Sequence, residues 1–196
     1  MEKINFIKTF IPKGDFNEKY EHGGMMVRHL GAVLDEKMGA YECYECTVPI
    51  GEYDENEVQK AFVEFSAKMD ALELEQAKAD KIAEIAAYDT SSSVNGFILN
   101  GLLVWLDKAT RVGLMNSTTI AKAAGQETTT LWLGGVKLVV DCDKAIQLLS
   151  ALEMYALECF NVTASHKAAV GELKTIEEVE AYDYKAGYPK MLEMSV

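Results

Sequence analysis

The sequence predicts an α+β protein, and three observations carry that reading. A short apolar run, a two-residue turn, a second apolar run, an acidic residue and the start of a helical pattern occur twice, at 97–109 (FILNGLLVWLDKA) and 131–145 (LWLGGVKLVVDCDKA). A helical pattern free of Gly and Pro occupies 54–88, and a segment rich in β-formers occupies 25–48 ahead of it. The C-terminal part is therefore expected as two β-hairpins, each followed by a helix (ββαββα). A long helix and an N-terminal β-hairpin module precede it. The domain boundaries follow as 1–52 for the hairpin module, 53–89 for the long helix or connector, and 90–196 for the C-terminal α+β domain.

Taken in order, residues 1–24 are mixed and poorly periodic, with Pro12, Gly14, Gly23 and Gly24 as breakers. The runs MMVRHLGAVLDE from Met25 and GAYECYECTV from Gly39 read as a hairpin closing near 37–39, ended by Pro49 and Gly51. Acidic residues at 54, 55 and 57 open the long helix at its positive end. Val58, Phe62, Phe65, Met69 and Leu72 mark one apolar face at alternating steps of four and three, and Ile82 and Ile85 continue it. Such a helix extends about 50 Å, more than one small core covers, so it must bridge two modules or pack on a second helix. Self-association through 54–88 is one outcome of that pattern.

Asp89-Thr90-Ser91-Ser92-Ser93 reads as a linker. In the doubled module, Asn100-Gly101 and Gly134-Gly135 are tight-turn pairs, because such turns need positive φ at both central residues. Asp107 and Asp141 are placed to cap the helices that follow. The first of these, roughly 108–124, has poor propensity through Gly113 and Ser117-Thr118-Thr119. The second carries Ala145, Leu149, Leu152, Ala156, Cys159, Thr163, His166 and Val170 as a core stripe, widened by Ile146, Leu148, Tyr155, Phe160 and Val162. Thr175 and Glu178 form a capping box for a short last helix, and residues 191–196 can add an edge strand. The four hairpin strands are expected in one layer with helices on one face.

The formal net charge is −12. That argues against a nucleic-acid or anionic-membrane partner, because both need a basic surface. No apolar run approaches the roughly 20 residues of a membrane span, and residues 1–24 lack the pattern of a secretory signal. The four cysteines are accordingly expected as free thiols in a reducing, cytoplasmic setting.

Few residues offer chemistry. Cys43 and Cys46 form a C-x-x-C, but two further zinc ligands at suitable spacing are missing, and the pair lies on an expected strand. Residues three apart on a strand point to opposite faces, so the sulfurs should diverge. His166 reads as a core or interface histidine bonded to backbone, and Cys159 is two helical turns away, too far for a thiolate–imidazole pair. Gly134-Gly135 lacks the strand-to-helix loop and lysine of a phosphate cradle. Trp105 and Trp132 read as core or sheet-face packing residues rather than a ligand platform. The reading thus names no catalytic, cofactor-binding or metal-binding residue and implies no cofactor.

The segments KIAEIAAYDTSSSVNGFILNG, VWLDKATRVGLMNS, TTTLWLGGV and CDKAIQLLSALEMYALECFNVTASHKAAV resemble a domain-of-unknown-function family carried by phages and by prophages of gut bacteria. The resemblance covers about residues 80–196 and rests on Asp107 and Arg111, on Trp132, and on Leu148, Leu152 and Tyr155. Members are often attached to tail-fibre or other tail-associated proteins. The resemblance implies a non-enzymatic tail-associated structural protein whose partners are other tail or virion proteins. Its expected location is the cytoplasm of the bacterial host or the virion itself. The alternatives are a cytosolic tail assembly factor or chaperone, and a small metal- or thiol-dependent enzyme using Cys43, Cys46 and His166.

Overall fold

The structure is a computed structural model that describes residues 4–195. It is mixed α+β, as expected, and divides into two compact units, Met1–Glu73 and Leu74–Val196.

The first unit holds a four-stranded antiparallel sheet in the order β1-β4-β3-β2, from β1 (Ile7–Pro12), β2 (Lys19–His22), β3 (Met25–Asp35) and β4 (Ala40–Pro49). The expected hairpin is β3–β4, with Asp35 Oδ1 accepting from the backbone N–H groups of Lys37 and Met38 in its turn. β1 and β2 correct the reading of 1–24 as irregular. They are the two edge strands, with largely exposed side chains, and backbone pairing to β4 and β3 holds them, so hydropathy leaves no alternation to read. Helix α1 (Glu55–Asp89) starts in this unit, its entry fixed by reciprocal bonds between Asp54 and Glu57. Val58, Phe62 and Phe65 pack with Met26, Leu30, Tyr44, Cys46 and Val48. Leu72 departs from the expected stripe: it is exposed.

In the second unit, the end of α1 and the serine-rich segment are more ordered than a linker. Ser91 Oγ donates to Tyr88 O (2.6 Å), and Ser91 caps the short helix α2 (Ser92–Asn95). Asn95 Nδ2 donates to Asp89 O at 2.6 Å. Local side chain–backbone bonding of this kind is what Ser, Thr and Asn offer in place of a flexible tether. The hairpin β5 (Gly96–Leu99) and β6 (Leu102–Trp105) leads to α3 (Lys108–Ala123), and the hairpin β7 (Thr128–Leu133) and β8 (Val136–Asp141) leads to α4 (Cys142–Glu172). Both turns have positive φ at each central residue: Asn100 49° and Gly101 83°, then Gly134 58° and Gly135 85°. Asp107 and Asp141 cap α3 and α4. Thr175 and Glu178 complete the capping box of α5 (Ile176–Glu180). Strand β9 (Leu192–Met194) adds to β5, in parallel.

The expected single strand layer is corrected. β6-β5-β9 forms one sheet and β7-β8 a separate two-stranded one. The hairpins meet through side chains, with the Gly134 turn seated on Val104, rather than through shared ladder bonds. Their inner faces (Phe97, Leu99, Val104, Leu131, Leu133, Val140) and the α4 stripe (Ala145, Leu149, Leu152, Tyr155, Cys159) make one core. A smaller cluster gathers Ile85, Val170 and Val179 with Leu74, Ile82 and Tyr182.

Candidate functional site

A cleft of about 730 Å³ opens in the second unit between the end of α1, the β6–α3 junction and α4. Its floor is polar and built from the capping turn. Asp107 accepts from Thr110 N at 2.8 Å and from Thr110 Oγ1 at 2.6 Å. Those bonds hold its carboxyl below the ordinary value of 3.8. One turn later Arg111 is almost wholly buried. Its Nε donates to Glu153 Oε1 (2.9 Å) and its Nη1 to Leu106 O (2.8 Å). This pair ties α3 to α4 and orients the guanidinium along the cleft floor. At the other end Asp89 accepts from Thr163 Oγ1 (2.8 Å), which in turn accepts from Tyr188 OH (2.8 Å). Behind the wall, Tyr155 OH and Cys159 Sγ both donate to Val94 O, at 2.7 and 3.3 Å. Burial pushes both of these groups up in pKa, so each stays protonated at neutral pH.

The rim is apolar and open to solvent. Trp105 is 40% exposed, Leu157 49% and Phe160 59%. The structure thus corrects two sequence readings. Trp105 and Trp132 are both exposed, which overturns the core half of their expected core or sheet-face packing. Phe160, expected to widen the apolar face of α4, lies off its buried stripe. The periodic signal was available: Phe160 follows the buried Cys159 by one residue, a rotation of about 100° off the core face. Leu157, which the stripe did not include, completes the rim.

The residues weighed for thiol or metal chemistry do not come together. Cys46 lies on the sheet face that packs on α1, opposite Arg28, and Cys43 lies on the other face, opposite Thr9. Both are buried, and burial raises both thiols. His166 belongs to the second unit, with Nε2 2.9 Å from Ala186 O and Nδ1 2.9 Å from Tyr182 OH. A neutral ring meets both by donating Nε2–H to the carbonyl and accepting the tyrosine proton. Among the described residues, no three His, Cys, Asp or Glu side chains are grouped so that they could hold a metal ion, and no helix is long and apolar enough to cross a membrane.

Asp107 is committed to capping and Arg111 and Glu153 to each other, Asp89 accepts from Thr163, and the rim side chains Trp105, Leu157 and Phe160 are exposed. Residues 76–186 match the family described as Domain of unknown function (DUF4376). No curated protein and no solved structure matches the chain.

Proposed function

The chain belongs to the DUF4376 family, and from that premise we propose that it is a non-enzymatic structural protein of a phage or prophage tail, acting through protein–protein contacts. The observation that carries the contact role is the cleft rim. Three large apolar side chains, Trp105, Leu157 and Phe160, stay in solvent around a floor whose polar groups are already bonded. Large exposed apolar side chains gathered around one cleft mark an interaction surface. Asp107 caps α3, and Arg111 ties the start of α3 to Glu153 in the middle of α4, which accounts for these polar groups as structural ones. The tail assignment is supported by the resemblance of residues 80–196 to tail-associated phage domains.

Mass spectrometry of purified particles tests this. The chain is expected in a fixed ratio to tail proteins. Its absence from mature particles, with presence in assembly intermediates, would turn the reading to an assembly factor. Self-association through 54–88 is the less favoured contact mode. Val58 and Phe62 are buried against the sheet, and the exposed Val63 and Leu72, nine residues apart, lie on opposite sides of α1 and form no single seam. Light scattering at high micromolar concentration checks this: an oligomer restores the mode, and a clean monomer mass rejects it.

A further inference from the structure

We propose that the outer edge of β6 is a strand-addition site for an extended segment of a basic partner protein, entering beside the cleft. This rests on reading the chain as an interaction protein. β6 is the end strand of its sheet, and no strand among the described residues pairs with its outer side. The two-residue Asn100-Gly101 turn makes Leu99 and Leu102 a hydrogen-bonded pair, and such pairs alternate along an antiparallel ladder. The N–H and C=O groups of Leu102 and Val104 therefore face β5. Those of Leu103 and Trp105 face outward, spaced as a strand presents them.

The edge is also unguarded. Exposed edges are normally blunted by charge, proline or a bulge. Most of the other sheet edges follow that rule: β1 carries Lys8 and Pro12, β2 Lys19 and Glu21, β8 Lys137 and Asp141, and β9 Glu193. β7, Thr-Thr-Thr-Leu-Trp-Leu, also lacks charge and proline, but it opens on three polar threonines and does not line the cleft. β6 reads Leu-Leu-Val-Trp in unbroken register with β5, and Leu102, Leu103 and Trp105 are all exposed. An added strand would supply the missing backbone partners and cover these side chains.

Charge selects the occupant. Trp105 is both the end of the edge and part of the cleft, where Arg111 is paired with Glu153 and the remaining Asp89 and Asp107 outnumber Lys108. The chain as a whole carries −12, which favours a segment bearing Lys or Arg at this edge over another acidic strand. The exposed indole of Trp105 adds a face for such a cation.

The test uses the full chain and two blocked synthetic peptides, one alternating Lys and Val and the other Glu and Val. The Lys/Val peptide is expected to slow amide hydrogen exchange at Leu103 and Trp105, and the Glu/Val peptide is expected not to. Leu103→Pro removes an outward N–H without taking a ladder bond from β5, and should weaken the Lys/Val peptide by about ten-fold or more. Leu103→Lys, which guards the edge and keeps the amide, is the check should the proline variant fold poorly. The proposal is overturned if neither peptide protects those amides, if both bind equally, or if the folded variants bind like wild type. A dimer that Leu103→Lys dissociates would instead assign the edge to a second copy. Particle composition is a separate readout: absence from particles with intact peptide binding removes the tail reading alone, and the converse removes the edge alone.

Discussion

A β-carbon on Gly134 would sit 2.9 Å from Val104 Cγ1, whereas one on Gly135 would meet nothing within 4 Å. Both residues have positive φ, so alanine at either carries the left-handed penalty of roughly 1–2 kcal/mol. Only at 134 does a steric term add to it. Gly134→Ala is therefore expected to destabilise by at least about 1 kcal/mol more than Gly135→Ala in urea denaturation. In a Val104→Ala background that excess should shrink. Equal costs in both backgrounds would mean that the second hairpin does not seat on Val104. Turn chemistry in the sequence identified both glycines, but the asymmetry between them arises from a contact 30 residues away.

The elements of the second unit start where their caps say they should, and the cap of α3 brings the cleft floor with it. The bonds from Thr110 lower the Asp107 carboxyl, so the folded state binds this proton less readily than the unfolded chain. The stabilisation from the charged cap is then fully present above the ordinary value of 3.8 and is lost as pH falls through the lower, folded value. Thermal midpoints are expected to drop along that acid limb. Asp107→Asn keeps an acceptor for the helix N–H groups and should flatten the limb relative to wild type. An unchanged acid limb would show that the carboxylate charge contributes nothing to the cap. Asp-x-x-Thr before a helical pattern makes this cap legible in the sequence. The Arg111–Glu153 bond across the floor is not, because it joins residues 42 apart on helices whose facing is set by the core.

At the scale of the whole molecule, the two compact units divide at Glu73 and Leu74, within α1. Residues before that point bury Val58 and Phe62 in the first unit, and residues after it bury Ile85 in the second. Tyr88 packs on the main core of the second unit as well. A fragment spanning 74–196 is expected to melt cooperatively. A fragment spanning 90–196 should be less stable by at least about 2 kcal/mol, since the burial of Ile85 alone is worth that much. Equal midpoints for the two fragments would show that the end of α1 adds nothing to the second unit.

Sequence alone determined the hairpin–helix repeat, the turns, the three capped helix starts and the buried stripe of α4 from Ala145 to Val170. Each of these is local: φ at a turn, a side chain reaching its own helix end, or a 3.6-residue period. Sequence also implied that Cys43 and Cys46 diverge, because the two-residue period of a strand decides it. Tertiary structure decided the rest. It placed β1 and β2 in a sheet, since edge strands are held by backbone bonds that leave no mark on hydropathy. It split the repeated hairpins between two sheets, because their meeting depends on side-chain packing at the Gly134 turn. It also left Trp105, Leu157 and Phe160 in solvent, because an aromatic or aliphatic side chain carries the same hydropathy whether its neighbours cover it or stop short of it.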